Sequence, residues 1–458
     1  MADSKKLHVA VFPWLAFGHM IPFLELGKKI AENGHFVSFI STPRNIKRLP
    51  KIRENLSSSI NLVELPLPHE TNLPQNAEAT IDIPYHLIPY LKKAYDGLQE
   101  TLAHFLQTNT PDWIIYDFAP HWLPPIAARL GISRAFLSVC NASTAAFFGP
   151  LRSEIREAYG LRTKPEHFTV PPKWISFPFK SVFRLFEANK FVESLLQNES
   201  GVSDSYRLWH CVEGSQLYLL RSCREFEQDC LNLLPELLSK PVIPVGLLPP
   251  LAQDSGNDTD SNWEAIVEWL NKHEKESVVY VAMGSETKLS RESITELALG
   301  LELSGLPFFW ALRKPNATIG LPDGFEDRTK DRGIVWTSWA PQLKILAHDS
   351  VGGYFTHCGW GSAIEALQFG RPLIMLPWII DQGLNARAFD KVAGIEVPRS
   401  EEDGSFTSNS VAQSLKTVMV EEQGRNYREK EKKMSVIFND QHLHDKYVDK
   451  LIHYMQIN

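Results

Sequence analysis

Residues 339–382 read WAPQLKILAHDSVGGYFTHCGWGSAIEALQFGRPLIMLPWIIDQ. The middle of this stretch sets out an apolar strand over 353–356, a turn bearing Gly359 and Gly361, and a helix over 363–369. Strand, glycine-bearing turn and helix in that order form the repeating unit of a parallel sheet wound with helices. The turn falls at the carboxyl end of the strand, where such sheets bind ligands. A helix start offers free backbone N–H groups and the positive end of the macrodipole, which suits phosphate. Around the turn stand a flat aromatic (Trp339), two amides (Gln342, Gln382), His357, Ser362 and two carboxylates (Glu365, Asp381). Together they fit a ligand made of a planar base, phosphates and hydroxyls.

Outward from this stretch the same alternation recurs. At the start, 7–13 reads as a strand buried on both faces, 14–19 as a loop, and the following segment as a helix with Phe23, Leu26 and Ile30 on one face, ending at Gly34. Further strands are expected over 36–41, over 113–116 ending at Asp117, and over 135–139. Residues 149–215 read as irregular, Pro- and Phe-rich chain, of the kind that forms a lid or ligand wall. A stiff then polar linker over 241–262 precedes a second alternation. That alternation has a strand over 277–283, a Gly284-Ser285 turn, an N-cap at Ser290, a helix buried through Ile294, Leu297, Ala298 and Leu301 and stopped at Gly305, and a strand over 308–313. From about 424 the tail reads as a charged helix. The divisions expected are 1–240, a first domain; 241–262, the linker; 263–440, a second, ligand-binding domain; and 441–458, a helix packing back on the first domain.

At 458 residues the chain exceeds one ordinary core, so two or three domains are expected. Hydrophobic residues at 43% and charged residues at 22% describe a globular protein, and a formal charge of −7 argues against nucleic acid as a partner. The five cysteines (140, 211, 223, 230, 358) form no CxxC pair and no zinc spacing, so free thiols in a reducing compartment are expected. No apolar run approaches the ~18 residues of a membrane helix, and no signal-peptide core precedes the first strand. A cytoplasmic monomer without membrane insertion is the expectation. His442 and His444 imitate a metal pair but read as a solvated helix face; no HExxH or acidic DxD pattern occurs, and no metal or cofactor is expected.

Residues 339–382 resemble the signature box of the plant UDP-dependent glycosyltransferases of family 1, and the resemblance covers nearly the whole chain. It implies the α/β GT-B fold, two doubly wound Rossmann-like domains facing a cleft, and inverting transfer of a hexose from UDP to a small acceptor. By this resemblance Trp339 stacks on uracil and the Ala340 backbone bonds the base edge. Gln342 and Glu365 hold the ribose, and His357, Ser362 and Ser285 meet the phosphates. Asp381 and Gln382 bond the sugar hydroxyls, with Trp360 supporting that pocket. Most of the family has asparagine where this chain has Gly361, so a charged hydrogen bond worth ~1.5–3 kcal/mol is missing and weaker or shifted donor binding is expected.

Attack by a hydroxyl on an anomeric carbon is easier when its proton is taken during the step, and histidine suits that task. His19, after the first strand, matches the base of the resembled family, and Asp117 matches the aspartate that orients it. Residues 12–19 (FPWLAFGH), 41–46 (STPRNI), 77–80 (AEAT), 246–250 (GLLPP) and 310–315 (WALRKP) resemble the branch that extends the sugar chain of flavonoid or terpenoid glycosides. The resemblance implies glucose from UDP-glucose, Gln382 being its usual companion in the family, transferred to a sugar hydroxyl to give a β-linked disaccharide. Alternatives are transfer to an aglycone, UDP-rhamnose as donor, a UDP-sugar binder without catalysis, and an epimerase on the same architecture. An acceptor wall is expected from Tyr85, His86, Trp122, Asn141, Phe148 and Trp378.

Overall fold

The computed structural model describes residues 5–150, 157, 159–251, 261–284, 286–287, 289–312 and 320–458. The first sheet contains β1 (His8–Phe12), β2 (Phe36–Ser41), β3 (Ile60–Glu64), β4 (Trp113–Tyr116), β5 (Ser133–Ser138), β6 (Leu217–Leu220) and β7 (Val242–Pro244). Their order is β3-β2-β1-β4-β5-β6-β7. The second sheet contains β8 (Val278–Ala282), β9 (Phe308–Ala311), β10 (Gly333–Trp336), β11 (Val351–Thr356), β12 (Leu373–Met375) and β13 (Gly394–Glu396), ordered β10-β9-β8-β11-β12-β13. Every strand pairing among the described residues is parallel. Two Rossmann-like sheets of this kind make the GT-B, α/β fold. Each reverses direction of winding once, between β1 and β4 and between β8 and β11, and open parallel sheets bind ligands at such points.

Burial explains the strands. β4 and β8 are buried at every residue, which only a sheet covered on both faces allows. Within β1, Ala10 and Phe12 point into one core cluster and Val9 and Val11 into the other, the alternation of a two-sided strand. One of those layers is built from the helix Phe17–Glu32 and, beside it, the C-terminal helix Gln441–Ile457 through Val448, Leu451, Ile452 and Met455. Trp113 Nε1 donates to the Met455 carbonyl at 3.0 Å, and Lys29 pairs with Asp445 at 2.8 Å.

Several local expectations are corrected. The stretch 149–215 is not irregular throughout, since it forms the helices Leu185–Ser194 and Asp204–Glu213. Part of the expected linker is β7, the edge of the first sheet, while 252–260 lie outside the described residues. The tail is two helices, Glu422–Phe438 and Gln441–Ile457. His444 is buried rather than solvated, accepting from the Leu247 N–H at 3.3 Å, because it shares the stripe of Val448, Leu451 and Met455 that the first domain covers. His442 is exposed as expected.

Leu451 is fully buried in that stripe. Leu451→Ala should cost about 2–5 kcal/mol and lower the thermal midpoint; an unchanged midpoint would show that the C-terminal helix contributes little to the first domain.

Candidate active site

The two switch points supply the two halves of the site. In the first domain, His19 sits in the opening turn of the helix Phe17–Glu32, not in a loop, because Ala16 is the extended cap and its carbonyl already accepts from His19 and Met20. Asp117 follows β4, the neighbour of β1, and is 2% exposed. Its Oδ2 accepts from His19 Nδ1 at 2.8 Å and from the Trp14 N–H at 2.7 Å, and its Oδ1 accepts from Ala119 N at 3.3 Å. A carboxylate on Nδ1 fixes the proton of neutral imidazole there and leaves the Nε2 lone pair for an acceptor hydroxyl. Burial pulls the His19 pKa down, but the bond and charge of Asp117, with the charges of Glu286 and Asp381, outweigh it and leave the pKa above the usual 6.5. The neutral, base-competent form therefore grows as pH rises through that value.

In the second domain, Gln342 opens the helix Gln342–Ala347, and its Nε2 donates to Glu365 Oε2 at 2.6 Å and reaches Ser362 Oγ at 3.4 Å. Gln342 Oε1 accepts from Tyr354 at 3.1 Å and Tyr280 at 3.5 Å, whose stacked rings lie 5.2 Å apart. Among the described residues Glu365 has one oxygen held and no hydrogen bond to the other; burial raises its pKa against the pull of Gln342 and Arg221. His357 follows β11 and packs against two glycines. A methyl group at Gly284 would lie 2.6 Å from His357 Cε1, and one at Gly359 2.6 Å from its Nε2. Burial pushes His357 down to about 4, so the ring is neutral at pH 7, and its buried Nδ1 has no partner among the described residues. An orphaned ring nitrogen beside a helix start fits an anionic ligand.

Trp339 leaves 74% of its surface exposed, with its carbonyl held by Trp336 Nε1 at 3.1 Å, and Ala340 lies half-buried beside it. So large an exposed indole is a ready stacking platform. Trp360 is buried between Phe226 and Phe389, and its indole donates to the Arg221 carbonyl at 2.8 Å, across the two domains. Ser362 stands partly exposed in the first turn of the helix Trp360–Leu367, next to Gly361. Ser285 lies outside the described residues.

Asp381 caps the helix Gln382–Phe389, and its Oδ2 accepts from Asn385 Nδ2 at 2.9 Å. Gln382 Oε1 accepts from the N–H groups of Trp378 and Ile379 at 3.0 and 3.1 Å, shaping the loop before it, where Ile380 takes a left-handed φ of 50°. Asn385 also donates to Cys358 O at 3.1 Å and accepts from Asn141 Nδ2 of the first domain at 2.9 Å. A further cross-domain bond joins Thr80 to Glu286 Oε1 at 2.6 Å. Asn385, Glu286, Tyr280 and Tyr354 escape sequence reading. Only Asn385 carries a local signal, its i, i+4 spacing from Asp381.

The acceptor-wall candidates separate. Tyr85 and His86 are exposed on one turn, Phe148 stacks on Phe191 at 5.2 Å, and Trp378 is half-buried with Arg399 over its ring. Two others are buried. Trp122 is buried on Phe12 and Tyr95 with its indole on Asp96 at 3.0 Å, and Asn141 is the buried cap of the helix Ala142–Phe148. Both are spent on the scaffold, since a buried indole N–H and a buried amide must find fixed partners.

A family model described as UDP-glucoronosyl and UDP-glucosyl transferase matches residues 243–455. The whole chain aligns at 50% identity with 98% of UDP-glycosyltransferase 91A1 of Arabidopsis thaliana. The chain belongs to the plant UDP-glycosyltransferases. Soyasaponin III rhamnosyltransferase of Glycine max is 45% identical, over 99% of this chain and 96% of the relative. The crystal structure of Glycyrrhiza uralensis UGT73P12 with glycyrrhetinic acid 3-O-monoglucuronide agrees in fold, with a TM-score of 0.78 at 23% identity over 99% of this chain and 96% of that one. This glycosyltransferase has no described helix long and apolar enough to cross a membrane, and its five cysteines are free thiols.

For the enzyme, kcat/KM should fall on the acid side with a midpoint above pH 6.5. Asp117→Asn should move that midpoint lower, by removing the main group that raises it, and cut the plateau about a hundred- to ten-thousandfold. Pre-steady-state pH profiles of both forms check the sign. Separately, Asn385→Ala strips partners from Asn141, Asp381 and the Cys358 carbonyl; it should destabilise the protein by about 1–3 kcal/mol and raise the donor KM, as measured by denaturation and initial rates.

Proposed function

We propose that the enzyme moves glucose from UDP-glucose to a sugar hydroxyl of a small plant glycoside, of a terpenoid or flavonoid, inverting the anomeric carbon and leaving a β-linked disaccharide. The observation that supports it most is the His19–Asp117 pair at 2.8 Å, placed at one switch point while the phosphate-suited turn of His357 occupies the other. In this reading the acceptor oxygen bonds to the anomeric carbon from the face opposite the diphosphate as its proton passes to His19 Nε2. The bond from that carbon to the diphosphate breaks, and UDP leaves with the electron pair. Asp117 keeps the Nδ1 proton and stabilises the imidazolium. The helix start at Trp360 and the neutral His357 receive the charge that develops on the leaving group. Trp339 holds the uracil, Gln342 and Glu365 the ribose, and Asp381 and Gln382 the sugar. The reaction so written uses no metal or cofactor, and the free thiols suit a cytoplasmic enzyme.

UDP-rhamnose is the second donor to weigh, because the soybean relative at 45% identity is named for rhamnosyl transfer. Incubation with each UDP-sugar and with acceptors offered as aglycone and as monoglucoside, read by mass spectrometry, decides both points. One hexose added to the glycosides alone is the expected result. Addition to aglycones alone, or only from UDP-rhamnose, would overturn the corresponding half of the reading. His19→Ala should lower turnover about a hundred- to ten-thousandfold while UDP still binds; undiminished turnover would remove the proposed base.

A further inference from the structure

We propose that Arg221, from the first domain, donates through Nη1 to the diphosphate of the donor, in the space that Gly361 leaves open. The proposal rests on the donor-site reading above and adds a residue to it.

Arg221 follows β6 and is 2% exposed. Its Nε donates to Leu247 O at 2.8 Å and its Nη2 to Leu248 O at 3.2 Å. The guanidinium is thereby clamped by two carbonyls, and the Arg221 carbonyl is in turn held by Trp360, the first residue of the phosphate-suited helix. Among the described residues Nη1 has no partner, and no carboxylate bonds the guanidinium; Glu365 and Glu25 act only at a distance. Burial lowers the pKa to about 10, so the group is cationic at neutral pH. A buried cation met only by carbonyls is costly, and a cation at the positive end of a helix is repelled. An anion between Arg221 and that helix start removes both penalties.

The neighbouring glycine supplies the second observation. A Cβ built on Gly361 would lie 3.4 Å from Arg221 Nη1, and apart from its own helix backbone and chain neighbours it would meet nothing else within 4 Å. The Cβ of an asparagine here would make ordinary van der Waals contact with Nη1, so its amide would reach the space that the guanidinium borders; with glycine in place the guanidinium borders that space alone. The missing charged bond at Gly361 is made from the opposite domain instead. The consequence is that donor binding draws the two domains together, because Arg221 and the helix Trp360–Leu367 belong to different sheets' domains.

Titration calorimetry of the full chain with UDP and with uridine tests this. Arg221→Met should weaken UDP binding about 10- to 150-fold and leave uridine unchanged. Arg221→Met combined with Gly361→Asn should recover part of the UDP affinity. Arg221→Lys, which keeps a cation in place and serves if the methionine variant fails to fold, should lose UDP affinity to a smaller degree and again spare uridine. Equal losses for both ligands would mark Arg221 as a strut of the 247–248 segment and overturn the proposal, as would unaltered UDP binding. A native protein that bound neither UDP nor uridine would instead refute the donor-site reading on which the proposal stands.

Discussion

The carboxylate of Asp117 lies at the end of a strand buried on both faces, where a polar group must be hydrogen-bonded or it costs several kcal/mol. Three donors meet it: the Trp14 N–H, the Ala119 N–H and His19 Nδ1. The first two fix the carboxylate against the loops that leave β1 and β4. The third transfers that rigidity to the imidazole, which is otherwise 22% exposed and free to turn. The orientation, tautomer and raised pKa of His19 all follow from a buried charge that had to be satisfied.

The second domain obeys the same logic with neutral groups. Asn385 is fully buried, and its amide is consumed by Asp381, by the Cys358 carbonyl and by Asn141 of the first domain. Cys358 itself holds a left-handed φ of 64°, which turns the chain from β11 into the helix Trp360–Leu367. One amide therefore ties the Asp381 carboxylate, the turn at Cys358 and the opposite domain into a single unit. Trp360 on the Arg221 carbonyl and Thr80 on Glu286 reinforce the same seam. The cleft is preorganised from both sides, and preorganised dipoles are what stabilise developing charge cheaply.

What could be read from the sequence was local and periodic. Strands β2 and β4 fall on the residues expected, because a short apolar run between polar or glycine stops has no other way to be buried. The Ser290 cap and the Gly305 stop also stand where they were placed, since cap chemistry is written in the residues themselves. His19 reads as loop from the sequence, yet the helix already begins at Phe17 behind the extended Ala16 cap and runs on through Pro22. Phenylalanines and prolines hid the helix Leu185–Ser194, whose buried face is Phe186 and Ala188. Contacts such as Asn141 with Asn385, 244 residues apart, or Gly361 with Arg221, have no period and no motif. They arise only when two domains close on each other.

The central claim is that Asp117 holds His19 as an Nδ1–H base with a raised pKa. Nitrogen NMR of histidine-labelled enzyme, with the His19 signal assigned by its loss in His19→Ala, measures tautomer and titration together. The account predicts a neutral ring protonated on Nδ1 that takes up its second proton above pH 6.5. A ring protonated on Nε2, or one titrating below pH 6.5, would contradict it.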